Sequence, residues 1–149
     1  MSQVHVTTRI EAPIDKVFET VMNPDRLGEW VTIHRSVSDV SGQPLRKGST
    51  MEQTMRMRGV NFNVHWTLVD LNPPAEAQWD GRGPAGSRAR IRYELHADGD
   101  SATEFAYFND FSPPGGHLGS VASRLIIGAA SEREAHASLQ RLKELLEDD

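Results

Sequence analysis

The hydrophobic period of the chain lengthens from two to three or four after residue 111, and that change limits what it can fold into. From residue 50 to residue 111 apolar side chains recur at every second position, whereas from 117 to 147 they recur at every third or fourth. A spacing of two marks strands with one buried face, and a spacing of three to four marks a helix with one buried stripe. A sheet patterned in this way has a single apolar face to cover, and the C-terminal stretch is the largest element available to cover it.

The strands are read from the alternation. Residues 50–58 set Met51, Gln53, Met55 and Met57 against Glu52, Thr54, Arg56 and Arg58. Residues 61–71 set Phe62, Val64, Trp66 and Leu68 against Asn63, His65 and Thr67, and a short strand near 75–80 carries Trp79. Residues 87–96 oppose Ala89, Ile91, Tyr93 and Leu95 to Arg88, Arg90, Arg92 and Glu94, and 102–111 turn Thr103, Phe105, Tyr107, Asn109 and Phe111 inward. Residues 35–41 form a weaker strand. Gly42-Gln43-Pro44, Gly59, Asn72-Pro73-Pro74, Asp98-Gly99-Asp100 and Pro113-Pro114-Gly115-Gly116 separate these runs as turns.

Before them, residues 3–11 alternate as a first strand. Ile14, Val17, Phe18, Val21 and Met22 then follow the helical period behind Pro13, which suits a first helical position. Asn23 is the expected cap of a second short helix over 24–27, with Gly28 as its stop. Residues 117–147 contain no proline, and Leu118, Val121, Leu125, Leu139, Leu142 and Leu146 share one stripe. This predicts one long helix of about 45 Å. The expected architecture is α+β: a curved antiparallel sheet of about seven strands wrapped around the C-terminal helix, with two short helices after the first strand. A bent sheet gripping a helix leaves a cavity between them.

The 149 residues suit one domain spanning 1–149. With no cysteine, disulfides, thiolate catalysis and Cys-ligated metals are excluded. A net charge of −5 argues against an affinity built on neutralising nucleic-acid phosphates. No run approaches the ~20 apolar residues of a membrane span, and the first residues lack a basic leader and an apolar core. A soluble, cytoplasmic protein is expected.

Several of these stretches bear a resemblance. Ile10-Glu11-Ala12-Pro13-Ile14-Asp15-Lys16-Val17-Phe18, Asn23-Pro24 before Trp30, Gly48 leading into a Met-rich strand, Trp66, Trp79 and the closing Leu139-Gln140-Arg141-Leu142-Lys143 are similar to the START-like (SRPBCC, birch-pollen-allergen-like) superfamily. Within it the chain resembles the polyketide cyclase/dehydrase-like branch. The resemblance implies the helix-grip fold and an internal site for an apolar ligand. It does not supply a reaction, because one fold hosts many functions.

The inward face favours methionine, aromatic rings and a few polar tips over the Leu, Ile and Val of an ordinary core. Trp30, Met55, Phe62, Trp66, Trp79 and Phe105 are expected to line an apolar site, together with Leu118 and Leu125 from the helix. Gln53, Tyr93, Tyr107 and Asn109 are its polar groups, and each needs a partner or a ligand if buried. Tyr107 and Asn109, two apart on one face, are candidates to anchor a ligand's polar end. His34, Tyr107 and Asn109 are the candidates for any acid–base work. His65 points outward. Glu132 and His136 read as a surface pair at i, i+4, and no metal or cofactor is expected. Gly81-Arg82-Gly83-Pro84-Ala85-Gly86 matches G-x-G-x-x-G, but a strand follows it, so it reads as a hairpin connection at the cavity rim. Arg88, Arg90 and Arg92, with Arg56 and Arg58, read as a solvated ladder pairing with acids such as Glu52, Glu94 and Glu104. Contact with an anionic lipid surface is the alternative for that ladder.

The expected partner is a small hydrophobic molecule of lipid, isoprenoid, quinone or polyketide type, carried without chemistry. A cyclase/dehydrase using the same cavity is the alternative, since folding a poly-ketone gains mainly from proximity. A partner-binding module like the chaperone-activating relatives is a third reading. Nucleic acid and stable membrane insertion are not expected, and the protein is read as a monomer or a homodimer.

Overall fold

The computed structural model describes residues 2–112 and 129–148. Strand β1 (Ser2–Ile10) leads to helix α1 (Ile14–Val21), then to a 3-10 turn over Pro24–Arg26 that runs directly into helix α2 (Leu27–Trp30). Strands β2 (His34–Ser38), β3 (Thr50–Met57), β4 (Val60–Asn72), β5 (Glu76–Arg82), β6 (Arg88–Asp98) and β7 (Ala102–Ser112) follow. Helix α3 (Glu132–Glu147) closes the described chain. The seven strands form one curved sheet in the order β1-β7-β6-β5-β4-β3-β2, every neighbouring pair antiparallel. Strands β2 to β7 are thus a continuous meander, and β1 returns to pair with the last of them.

The alternation holds at the level of burial. Val4, Val6 and Ile10 of β1, Met51 of β3, Val64, Trp66 and Leu68 of β4, and Phe105 of β7 are buried on one face. Helix α3 lays Ala135, Leu139, Leu142 and Leu146 on that face, packing against β1 and α2. It is tied down at both ends. Near its start, the Thr32 backbone N–H donates to Ser138 Oγ at 3.1 Å and the Thr32 hydroxyl donates to Glu134 Oε2 at 2.8 Å. Near its end, Lys143 Nζ donates to the Arg9 carbonyl at 2.6 Å, and the Glu11 N–H donates to Glu147 Oε2 at 2.9 Å.

Two expectations need correcting. The C-terminal stretch is not one unbroken helix over 117–147. Ser131 is extended (φ −77°, ψ 159°), and its hydroxyl accepts the Glu134 N–H at 3.3 Å as an N-cap, so α3 starts at Glu132 and is about 24 Å long. Leu118, Val121 and Leu125 lie outside the described residues, as does His117. Gly28 does not stop a helix either: it sits inside α2, and the Val31 N–H closes the turn on the Leu27 carbonyl at 2.9 Å. Burial of Leu27 and Trp30 outweighs the roughly 1 kcal/mol that a helical glycine costs. Asn23 caps as expected, its side chain accepting the Asp25 N–H at 3.0 Å.

Thr103 gives a test of the join between β7 and the turn before α1. It is wholly buried, and its hydroxyl donates to the Ala12 carbonyl at 2.8 Å. Thr103→Val preserves the shape but removes that donor, and should lower stability by about 1–3 kcal/mol in urea denaturation. An unchanged midpoint would mean that packing alone holds the turn.

Candidate functional site

A cavity of about 130 Å³ lies between the concave face of the sheet, the α1–α2 corner and the first turns of α3. Leu27 and Trp30 wall it from the corner, and Ala135 and Leu139 from the helix. Met55, Phe62, Trp66 and Trp79 come from β3 to β5, and Tyr93, Tyr107, Asn109 and Phe111 from β6 and β7. The volume matches one aromatic ring, since a dry cavity of about 150 Å³ takes up benzene. It falls below the roughly 300–1,000 Å³ of sites for drug-sized ligands. Pro84 and the exposed Arg88, from the β5–β6 connection, stand on its rim.

A chain of hydrogen bonds runs behind the wall. Trp66 Nε1 donates to Gln53 Oε1 at 2.8 Å, and Gln53 Nε2 lies 2.9 Å from His34 Nδ1. An indole N–H can only donate, so it fixes the Gln53 carbonyl toward itself and the Gln53 amide toward the histidine. His34 Nδ1 must then accept, which leaves the ring neutral with its proton on Nε2. Burial pushes the His34 pKa below its ordinary value in the same direction. The indole of Trp66 lies over Gly81, its cross-strand partner: a Cβ on Gly81 would stand 2.5 Å from the ring. Glycine is needed there for space, not for its backbone freedom.

Two polar atoms in the wall residues have no protein partner among the described residues: Trp30 Nε1, in a side chain 2 % exposed, and Asn109 Oδ1, in one 5 % exposed. Between them stand the phenols. Tyr93 lies edge-on to Trp30, with ring centroids 6.2 Å apart, and tilted to Tyr107 at 6.2 Å. Burial pushes the Tyr107 hydroxyl up to about 12, with the Asn109 amide pulling the other way, and it raises Tyr93 well above the usual tyrosine range. Both phenols are therefore neutral hydrogen-bonding groups at any ordinary pH.

Phe105 departs from expectation. It is wholly buried but packs on Tyr93, with centroids 5.5 Å apart, in the solid core and not on the cavity wall. His34 is likewise outside the wall and reaches it through Gln53. His65 points outward, to Glu52, and Glu132 with His136 form an exposed pair at 3.4 Å. Among the described residues no group of His, Asp or Glu could hold a metal. In the glycine-rich stretch Gly81 and Arg82 end β5, and Gly83–Gly86 belong to the β5–β6 connection, as the alternation after it requires. The sequence reading missed Arg88 as a rim residue, because outward alternation hides that a strand's first side chain borders the opening. It also missed the Trp66–Gln53–His34 chain, which depends on a cross-strand register that spacing along one strand does not reveal.

Two substitutions test this chain of bonds. Because its pKa is lowered on folding, His34 contributes stability that is complete above its ordinary value of 6.5 and is lost as pH falls through the folded-state value. Against His34→Gln, which cannot titrate, the wild type should lose stability more steeply below pH 6.5, while parallel profiles would show that His34 is indifferent to its protonation. Gly81→Ala should cost about 1–3 kcal/mol by overpacking and shift Trp66 fluorescence; an unchanged emission would show that the ring has room to move.

The comparisons with known proteins agree with the fold. A family model described as polyketide cyclase / dehydrase and lipid transport matches residues 1–147. Toxin Rv0910 of Mycobacterium tuberculosis (strain H37Rv) is 23% identical over 91 residues, 61% of this chain and 63% of that protein. The chain thus spans less than two thirds of that relative's length. Uncharacterized protein Rv1546 of the same organism is 24% identical over 146 residues, 97% of this chain and 99% of that protein. The crystal structure of the ZhuI aromatase/cyclase from Streptomyces sp. R1128 superposes with a TM-score of 0.81 at 16% identity, covering 98% of this chain and 93% of that one. That likeness concerns the helix-grip fold. With the family model matched from residue 1 to residue 147, the chain belongs to the polyketide cyclase/dehydrase and lipid transport family.

Proposed function

We propose that the protein binds a small hydrophobic molecule, one ring of which fills the cavity while a hydrogen-bonding group meets Asn109, Trp30 or the phenol pair. The observation that carries this reading is the pair of unpartnered buried atoms, Trp30 Nε1 and Asn109 Oδ1, in wall residues of an otherwise apolar hollow. An orphaned buried donor or acceptor costs about 1–3 kcal/mol, and a ligand that meets it recovers that cost. Apolar walls with sparse polar groups are how small-molecule sites obtain both affinity and orientation.

Carriage is favoured over cyclase chemistry by the state of the candidate catalytic groups. Tyr93 and Tyr107 stay protonated, and His34 Nδ1 is committed to Gln53. Among the described wall residues the only carboxylate is Glu134, which is engaged by the Thr32 hydroxyl. These groups can hold and orient a guest, but they do not form a proton-moving pair. A cyclase acting by proximity would use the same walls, with Tyr107 and Asn109 as donors to a ketone.

Asn109→Leu tests the reading, because it removes the orphaned carbonyl while nearly keeping the volume. The unliganded variant should melt at a higher temperature than the wild type, as sites kept for function cost stability. Its affinity for the host-derived ligand identified by native mass spectrometry should fall about tenfold, the loss of one good hydrogen bond. A variant both less stable and equally avid would make Asn109 a structural residue and remove the support for this proposal.

A further inference from the structure

The apolar pairs of the concave face continue past the cavity to one end of the sheet. Between β3 and β4 the register sets Gln53 against Val64, Met55 against Phe62 and Met57 against Val60. The first two pairs line the cavity. The third lies one step further out, at the hairpin tip, with Met57 partly buried and Val60 48 % exposed. Val60 is the one large hydrophobic side chain exposed among the described residues.

This end of the sheet is also basic. The Arg56 N–H donates to the Ile33 carbonyl at 2.8 Å, which brings the start of β2 alongside the tip. Residues 31–38 and 54–63 hold Arg35, Arg56 and Arg58 and no aspartate or glutamate, although the whole chain carries −5. The three arginines are exposed, and none has an ion pair among the described residues. In the middle of the sheet, by contrast, Arg90 is paired with Asp80 and Arg92 with Glu94.

The turn itself is strained. Met57 and Val60 close a two-residue loop in which Arg58 (φ 51°) and Gly59 (φ 80°) are both left-handed. Asn-Gly or Gly-Gly makes such a turn at least cost, whereas an arginine in its first position pays for its Cβ. Arg56 Nη2 comes within 4.0 Å of the point where a Cβ on Gly59 would lie, so its guanidinium stands beside the turn. A residue held in an unfavourable backbone region, where a cheaper one would fit, points to a use for its side chain.

A lone exposed valine needs no explanation. Here an apolar end, three arginines without acids and a strained turn coincide on one protrusion. We propose that the β3–β4 hairpin tip docks the protein on an anionic lipid surface, with Val60 and Met57 entering the interface and Arg35, Arg56 and Arg58 on the headgroups. Arginine stems lie along apolar surface while their guanidinium groups stay with the phosphates, which matches a bilayer's layered order of charge over hydrocarbon. A contact of this size gives reversible binding, not insertion. The docking stands on the tip alone and goes beyond the ligand-binding reading. It sets the Met55–Phe62 part of the cavity wall one cross-strand pair from the lipid.

The test is flotation of the full chain with vesicles of phosphatidylcholine alone and of phosphatidylcholine mixed with phosphatidylglycerol. The wild type should bind the mixed vesicles and not the neutral ones. An arginine near an anionic surface contributes about fivefold, so Arg56→Gln/Arg58→Asn should bind about 25-fold more weakly. That variant should melt no lower than the wild type, because asparagine accepts the left-handed position. Arg90→Gln, which removes a charge away from the tip, should bind as the wild type does. In Val60→Trp the new indole should be quenched by brominated lipid, while the buried Trp30, Trp66 and Trp79 stay out of its reach. Failure to bind mixed vesicles, equal binding to both kinds, a loss in Arg90→Gln as large as in the double variant, or an unquenched Val60→Trp each overturns the docking. If the wild type ignores the mixed vesicles but sediments as an oligomer that Arg56→Gln/Arg58→Asn dissociates, the tip meets a second copy of the chain and the lipid assignment falls.

Discussion

The concave face of a seven-stranded sheet is wider than one helix can cover. Strands spaced at about 4.8 Å make a face roughly three times the diameter of an α-helix. Curvature narrows the difference without removing it. Helix α3 is committed to the β1 side by Leu139, Leu142 and Leu146 and by its ties to Arg9, Glu11 and Thr32. What α3 leaves uncovered toward β3–β7, among the described residues, is filled by long, adaptable or flat side chains and, between them, by space. The cavity is the remainder of this mismatch between sheet and helix.

That remainder is lined by polar groups in two different states. Gln53 is held at both ends by Trp66 and His34, which sets the orientation of the tryptophan in one wall. On the opposite side Asn109 and Trp30 keep an atom each without a partner among the described residues. A satisfied network specifies a unique arrangement, whereas unsatisfied buried groups are a strain that a guest can relieve. On the proposed ligand-binding reading, the site combines a preorganised back with a receptive front.

Much of the fold was legible because period-two patterning is imposed by one buried face: the strands from Thr50 to Phe111, the α1 stripe and the Asn23 cap follow from local rules. The C-terminal helix was less so. An apolar stripe does not distinguish an unbroken helix from one restarted at a cap, and Ser131 decides this by a backbone angle. Gly28 misled because its local propensity was overruled by the burial of Trp30. In the site, the wall residues of β3 to β7 were readable as inward positions, yet depth was not: Phe105 and Tyr107 share a face, but only Tyr107 reaches the hollow. Pairings across strands, such as Trp66 over Gly81 or Arg82 against Arg88, depend on registers set by bulges and turns.

The position of β1 has a consequence for how the chain acquires its structure. Its partner is β7, so residue 2 meets residue 111 and β1 must wait for the last strand of the sheet. Such distant pairing carries a large loop-closure entropy and slows folding relative to the local meander between β2 and β7. On the ribosome the hairpins can assemble while both β1 and the free edge of β7 stay open to other chains. The sheet therefore stays exposed to aggregation until β1 docks on β7.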